Sequence, residues 1–328
     1  MALNRAYKFR IYPTDMQQAT LDSTLEACRW LYNYLLSRKI QSKEDMQFAF
    51  TELKEQKSWL NNYHSKMLQM VVHKIDTARK ALMELRKKGY EAGVLSVIKR
   101  GEYNTFTYNQ SGFKLERHGD TDLLWLSKIG YIPIRLHRPV NGTVKQVTIT
   151  KKAGRWYACM VVNERFMMPV IDFRKSAGID VGIKNYAYDS DDNATPNPEN
   201  IKKMLKPLIR AQRKVSRRVK GSNNYKKAKR WYQIVHERIA NRRRDFLHKL
   251  STYYANKYDV VFMERLRINN MVKNHKLACG LVLDRDYNAS LNILKKGLQV
   301  LPMEDREVTP VEILTGSRKQ EASALRHW

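Results

Sequence analysis

Apolar residues recur at every second position in some stretches of the chain and at every third or fourth in others. In residues 4–12, NRAYKFRIY, Tyr7, Phe9 and Ile11 alternate with Lys8 and Arg10, which predicts a short strand with one basic face. Pro13 ends it and Thr14 offers a helix cap. From there to about residue 88 the pattern is helical. Leu21, Leu25, Cys28, Leu31 and Leu35 form one apolar stripe; Met67, Val71, Ile75, Ala78, Leu82 and Leu85 form another. Residues 100–170 change to short alternating runs, TFTYN, FKLE, LLWLS, IPIRLHRP, KQVTITKK and RWYACMVVNERF, which read as a small antiparallel β module. Asn141-Gly142 is a hairpin-turn signal there, and Ala153-Gly154 a weaker one. The strand at 4–12 is expected to complete this module, leaving the helices of 14–88 as an insertion.

Residues 176–190, SAGIDVGIKNYAYDS, alternate again and predict a strand with Asp180 in its middle. An acid among buried β-branched residues costs on the order of several kcal/mol unless something neutralises it. A metal ion at a nuclease site would do so, and so would a structural cap or bridge; this segment leaves both open. Gly178 and Gly182 allow another backbone or a nucleic-acid strand to approach closely. A polar loop, Asp191 to Asn200, leads into two helices. The first keeps Ile201, Leu205, Leu208, Val215 and Val219 on one side. The second, roughly 223–257, keeps Ala228, Trp231, Val235, Ile239, Phe246 and Leu250, with Gly221-Ser222 as the break between them. Val260 to Met263 reads as a short buried strand with Glu264 at its end. Asp286 then stands where a helix begins, where an N-cap is its alternative role, and Gly297 is the expected C-cap.

Charge changes this picture more than composition does. The 328 residues hold 61 Lys and Arg against 32 Asp and Glu, a formal net charge of +29, far beyond what solubility needs and indicative of a polyanionic partner. No run approaches the roughly 18–20 apolar residues that span a bilayer, and the charged N-terminus is not a signal peptide, so nucleic acid is favoured over membrane. Cys28, Cys159 and Cys279 are too scattered for a disulfide framework or a CxxC pair, which fits a reducing, cytoplasmic, nucleoid-associated setting. Candidate nucleic-acid contacts are Lys8, Arg10 and Arg135 in the β module, Gln69 and Lys74 on the polar side of the helix that carries the second stripe, Arg213, Lys214, Arg217 and Arg218 on the first downstream helix, and Lys226, Lys227, Arg230, Arg242 and Arg243 on the second. The alternative for each is a solvated face. A solvated face normally mixes signs, however, and the two downstream helices hold few acids.

Asp180, Glu264 and Asp286 stand on three separate elements. Together they have the form of a three-carboxylate site, in which hard oxygen ligands hold Mg²⁺ or Mn²⁺ for phosphodiester cleavage. At this point the sequence resembles a known family. YKFRIYPT, AGIDVGIKNYA, GSNNYKKAK with ERIANRRRDFLHKLS, VVFMERLRINNMVKN, DRDYNASLNIL and the tail EVTPVE occur in the order seen in the TnpB (OrfB) family of transposon-encoded RNA-guided DNA nucleases, over nearly the whole chain. The resemblance implies an α+β multidomain chain: a β wedge-like module at 1–13 and 96–172, a helical recognition domain at 14–95, and a RuvC-like, RNase H-fold nuclease domain at 173–297. A tail at 298–328 is expected to be disordered. It implies Asp180, Glu264 and Asp286 as catalytic metal ligands, with Asp284 as the fallback for the third. It also implies a two-metal mechanism, a guide RNA from the transposon end and double-stranded target DNA. The family's zinc ribbon of two CxxC pairs has no counterpart here: only 21 residues separate Glu264 from Asp286, and His275 to Gly280 holds one Cys-Gly remnant, so zinc is not expected. That departure leaves a non-enzymatic reading open, a copy that binds RNA or DNA without cutting or a decayed remnant with no role; a DNA-joining transposase is a third reading. Oligomeric state is not legible.

Overall fold

The computed structural model describes residues 2–40, 42–165, 167, 175–182, 185–264 and 285–300. Seven antiparallel strands form the larger sheet: β1 (Ala2–Ile11), β2 (Thr105–Asn109), β3 (Phe113–His118), β4 (Thr121–Leu126), β5 (Gly130–Arg135), β6 (Thr143–Lys152) and β7 (Arg155–Arg165), in the spatial order β2-β6-β7-β1-β5-β4-β3. The first strand lies in the middle, paired with β7 along its whole length and with β5 at its end. Its alternation is realised: Tyr7, Phe9 and Ile11 are buried, while Lys8 and Arg10 are exposed.

The two turn signals exchange roles. Ala153 and Gly154, with φ of 49° and 74°, make the hairpin between β6 and β7, whose twist requires positive φ at both central positions. Asn141-Gly142 instead lies in the connection from β5 to β6, two strands that are not neighbours. Gly142 is needed there because a Cβ would stand 2.3 Å from the Asn163 carbonyl oxygen on β7. A local turn signal says that the chain bends; which strands then pair is decided by the shared core.

The helical stretch is three α-helices and a 3₁₀ turn rather than two stripes. The first, α1 (Asp15–Ser37), opens with a reciprocal capping box between Thr14 and Gln17 and buries Leu21, Leu25, Cys28, Leu31 and Leu35. The second, α2 (Lys43–Gln56), and the 3₁₀ turn Ser58–Asn62 bury Met46, Phe50, Leu53 and Leu60. The third, α3 (Ser65–Lys87), buries Met67, Val71 and Ile75 but leaves Ala78, Leu82 and Leu85 only half covered, because its last turns run past the core. Cys28 is wholly buried against the Met67 sulfur at 3.4 Å, and burial pushes its thiol up to about 12, so it is an inert core residue.

The smaller sheet has the order β10-β9-β8-β11, from β8 (Ser176–Asp180), β9 (Asn185–Asp189), β10 (Ala194–Pro196) and β11 (Val260–Met263). The stretch expected as one strand is therefore a hairpin, with Ile179 opposite Asp189 and Asp180 opposite Tyr188. Asp180 consequently ends a strand instead of standing mid-strand. The remaining helices are α4 (Asn200–Ser216), α5 (Asn223–Lys257) and α6 (Arg285–Val300). The buried positions of α4 are Met204, Leu208 and Ala211; Leu205 is 45% exposed and Val219, beyond the helix, 79%, which corrects the predicted stripe. On α5, Ala228 and Val235 are buried as expected, whereas Trp231 is exposed under the Arg238 guanidinium. Strand β11 is half-buried rather than buried. Since α6 continues to Val300, Gly297 lies within it and is not its C-cap.

The chain divides into two compact units, Met1–Pro169 with Lys206–Arg238, and Val170–Leu205 with Ile239–Trp328, so the divisions fall inside α4 and α5. No helix among the described residues is long and apolar enough to cross a membrane.

The start of α3 carries a pH dependence. His64 caps it, Nδ1 accepting the Met67 N–H at 3.4 Å, and burial, then Lys66 and Lys128, hold its pKa below the ordinary 6.5. The unfolded chain thus takes up this proton first. The stability contribution is complete above pH 6.5 and declines as pH falls through that value toward the lower folded one. In denaturant titrations between about pH 7 and pH 5, His64→Asn, which keeps an acceptor but cannot titrate, is expected to flatten part of the acid-side loss. His73 and His236, also held low by burial, will sustain the remainder.

Candidate metal centre and nucleic-acid interface

Strands β8 and β11 are parallel, in the register Val260↔Ser176, Val261↔Ala177, Phe262↔Gly178 and Met263↔Ile179. One step beyond the last pair come Asp180, which ends β8, and Glu264, which follows β11. Paired residues on parallel strands project to the same side of a sheet, about 4.8 Å apart. Asp180 is half-buried and Glu264 exposed, so the end of this strand pair offers two hard oxygen donors to a cation arriving from solvent.

Several backbone bonds hold that register. The amides of Asp259 and Val260 both donate to the Lys175 carbonyl, at 2.8 and 3.2 Å, starting the pairing at its first residue. Just before them, Tyr258 and Lys257 both donate to the Asp191 carboxylate, which these two donors hold below the usual carboxylate range. Tyr254 and Tyr258 join Ala177, Ile179 and Ala187 in the unit's apolar cluster.

The third predicted acid is placed less fully. Asp286 lies in the first turn of α6, one residue inside its start at Arg285, so it does not occupy the N-cap position. Its side chain, and the fallback Asp284, lie outside the described residues, as do His275, Cys279 and the 275–280 junction. Among the described residues no three metal-ligating side chains come together.

Among the described residues of this unit the fully buried acid is another one, Asp189, which the alternation treats merely as a polar position. Its Oδ1 accepts the amides of Asp191 and Asn193 at 3.0 and 2.9 Å, and the Asn193 side-chain amide reaches both carboxylate oxygens. Asp189 thus closes the turn between β9 and β10. Its spacing gives no sign of this, because the acceptor role depends on the turn folding back over it.

The predicted basic residues fall into two classes. Some already hold partners within the protein. The Lys8 ammonium lies 4.5 Å from the Tyr157 ring centroid and the Arg10 guanidinium 4.8 Å from that of Tyr12. Lys74 stands 4.0 Å from the Tyr103 ring and donates to Thr105 Oγ1 at 3.2 Å; desolvation of its ammonium lowers its pKa, although the residue reaches solvent. Arg230 presses on the β6–β7 turn, where a Cβ on Gly154 would meet its guanidinium at 2.7 Å. Nearby, the buried Glu237 of α5 accepts from Tyr157 Oη at 3.2 Å. Arg243 is half-buried, with Tyr186 in its field.

The remaining predicted contacts, and Arg10 with them, reach solvent. Gln69, Arg135, Lys226, Lys227 and Arg242 are exposed. Arg10 and Arg135 stand directly opposite each other on β1 and β5, a like-charge pair that costs stability unless an anion lies across it. Arg210, Arg213, Lys214, Arg217 and Arg218 line one hollow of about 420 Å³ along the end of α4, with no acid among them. Five cations in one hollow suit a phosphate backbone.

Comparison with known proteins follows this geometry. A family model described as "Probable transposase" matches residues 161–275, which include β8, β9, α4, α5 and β11. A second, described as "Helix-turn-helix domain", matches residues 1–45. That range takes in α1 and the start of α2, whose outward face carries Glu44, Glu52, Glu55 and the exposed Phe48 and is therefore unsuited to phosphate. The chain is 31% identical over 281 residues to "Putative RNA-guided DNA endonuclease InsQ" of Escherichia coli (strain K12), covering 82% of this chain and 68% of that relative. It is 32% identical over 292 residues to "Putative RNA-guided DNA endonuclease" of Streptomyces pristinaespiralis, covering 84% and 70%. Among solved structures, a Cas12f1–sgRNA–target DNA complex aligns with a TM-score of 0.42 at 9% identity, covering 100% of this chain and 95% of that one. A CRISPR-Cas12f ternary complex aligns with a TM-score of 0.41 at 13% identity, covering 91% and 72%.

Two acids at this sheet are expected to respond differently to removal. Asp189→Ala removes the buried acceptor of two turn amides and should lower unfolding stability by about 1–3 kcal/mol. Asp180→Ala, at a half-buried strand end, should cost less than Asp189→Ala, checked by denaturant unfolding of the two variants side by side.

Proposed function

Since this chain belongs to the OrfB (TnpB) family of probable transposases, we propose that it is an RNA-guided DNA endonuclease, cutting DNA at the end of the β8–β11 pair. The observation that supports this reading is the parallel register of β8 with β11, which runs to Met263 opposite Ile179, the residues just before Glu264 and Asp180. A mixed sheet with its acids at the carboxyl end of a parallel pair and a helix against it agrees with an RNase H-like, RuvC-type domain.

The donor set fits Mg²⁺ or Mn²⁺: both described acids are carboxylates, no thiolate or imidazole among the described residues stands with them, and Glu264 is open to solvent. Asp180 and Glu264 would hold the metal, with Asp286 from α6, or Asp284, as the third ligand. Bound there, two divalent ions would activate a water and stabilise the leaving 3′ oxygen. The protein's own part is to fix the two strand-end carboxylates by backbone pairing, and to present the phosphates. Arg213, Lys214, Arg217 and Arg218 on the α4 hollow, with Arg10 and Arg135 on the wedge-like sheet, would track the backbones of a guide RNA from the transposon end and of a double-stranded target.

A second reading, guided or unguided binding without cleavage, is favoured by the short 21-residue spacing between Glu264 and Asp286. The experiment separating the two is RNA co-purification followed by cleavage of matched double-stranded DNA in Mg²⁺. Cleavage is expected for the wild type and should fall at least a thousandfold in Asp180→Ala or Glu264→Ala; equal cutting by wild type and variants sinks the assignment. Asp286→Ala against Asp284→Ala should show the larger loss at the true third ligand. Bound RNA with no cutting by any form establishes the binding-only reading.

The α4 hollow predicts a salt dependence. Replacing Arg213, Lys214, Arg217 and Arg218 by Ala should lower RNA affinity at 150 mM salt by about tenfold or more. It should also reduce the slope of log K against log salt by roughly 3–4, since each lost phosphate contact removes somewhat less than one released counterion. An unchanged slope would make this face merely solvated.

A further inference from the structure

Residue 178 is where helix α6 meets the sheet. A Cβ built on Gly178 would stand 2.1 Å from the Ser290 carbonyl oxygen, 2.6 Å from the Leu294 amide nitrogen and 2.9 Å from Leu294 Cβ. The first two are backbone atoms of α6, so no rotamer change relieves the collision. The helix backbone rests directly on the strand backbone, and Ser290 is wholly buried at the contact. From the other side the glycine is pinned as well. Its N–H donates to Ser190 Oγ at 3.2 Å and its carbonyl accepts the Ser190 N–H at 2.9 Å. Across the sheet it pairs with Phe262 of β11, two residues before Glu264.

Gly178 therefore joins three elements that each carry one acid of the candidate centre. It precedes Asp180 by two residues on β8, and it faces the position two before Glu264 on β11. It also seats α6 one helical turn after Asp286. We propose that Gly178 is a positioning residue of the metal centre, setting the height of α6 above β8 and hence the span between the Asp180 strand end and the first turn of α6. The inference rests on the function proposed above. Gly182 provides the contrast, because among the described residues a Cβ there meets just the Asn185 carbonyl oxygen, at 3.0 Å.

The size of the effect follows from the distances. Ordinary carbon–oxygen contact needs a little over 3 Å, so Gly178→Ala drives α6 outward by about 1 Å. A two-metal centre spans only about 3.5–4 Å, and misplacing a reacting group by that much costs roughly a hundredfold in rate.

The test compares wild type, Gly178→Ala, Gly182→Ala and Asp180→Ala as RNA-bound complexes, by two readouts. One is Mn²⁺ affinity from EPR titration without DNA; the other is single-turnover cleavage of matched DNA across Mg²⁺ concentration. Gly178→Ala is expected to bind RNA and target within about twofold of wild type, to bind Mn²⁺ several-fold more weakly, and to cut about a hundredfold more slowly with a raised Mg²⁺ midpoint. Gly182→Ala should stay within about threefold of wild type. Wild-type Mn²⁺ affinity in Gly178→Ala, while Asp180→Ala loses the ion, overturns the positioning role and leaves the proposed function standing. Loss of RNA binding together with cleavage makes Gly178 a folding residue and overturns the role equally. No difference in Mn²⁺ binding between wild type and Asp180→Ala overturns the function it rests on.

Discussion

The parallel pairing of β8 with β11 is the constraint on which the second unit depends. It brings together residues more than eighty positions apart in sequence, Met263 opposite Ile179, and thereby sets two acids at one sheet end. A parallel pair cannot be closed by a tight turn and needs a long crossover. Here the crossover contains the β8–β9 hairpin, β10, α4 and α5. The end of α5 is fastened back by Tyr258 and Lys257 on Asp191, and Lys175 accepts the first amides of β11. Carboxylates carried on strand ends held in this way owe their placement to main-chain hydrogen bonds.

The acids of this unit illustrate how burial and function part company. Asp189 is wholly buried and surrounded by donors, so it is committed to a turn. Asp180 and Glu264 are less buried and sit where a strand runs out, the location at which ligands meet sheets that contain parallel strands. The same division runs through the basic residues. Lys74 and Arg230 serve packing, whereas the hollow along the end of α4 is lined by cations with no acid between them. A charge of +29 tolerated in one chain is most costly where like charges oppose, as for Arg10 and Arg135. A polyanion lying across them turns that cost into affinity.

Much of this was legible from the order of residues alone. The strand at β1, the helix cap at Thr14, the strands of the larger sheet, the span of α5 and the end of β11 before Glu264 all follow from periodicity and cap chemistry, because these are local preferences within a few residues. Charge imbalance and the joint occurrence of motifs pointed to nucleic acid and to the family. Other features needed the third dimension. Alternation in 176–190 is equally compatible with one strand and with a hairpin, and only pairing with β11 on one side and β9 on the other separates them. Asn141-Gly142 is the stronger turn signal, yet the hairpin forms at Ala153-Gly154, since β7 is covered by β1 and β6 together. Which acid is structural, which lysines are spent on packing and why residue 178 has no side chain are all set by contacts between segments distant in sequence. Periodicity reports the face a residue turns to; it carries no information about what the fold has brought to meet that face.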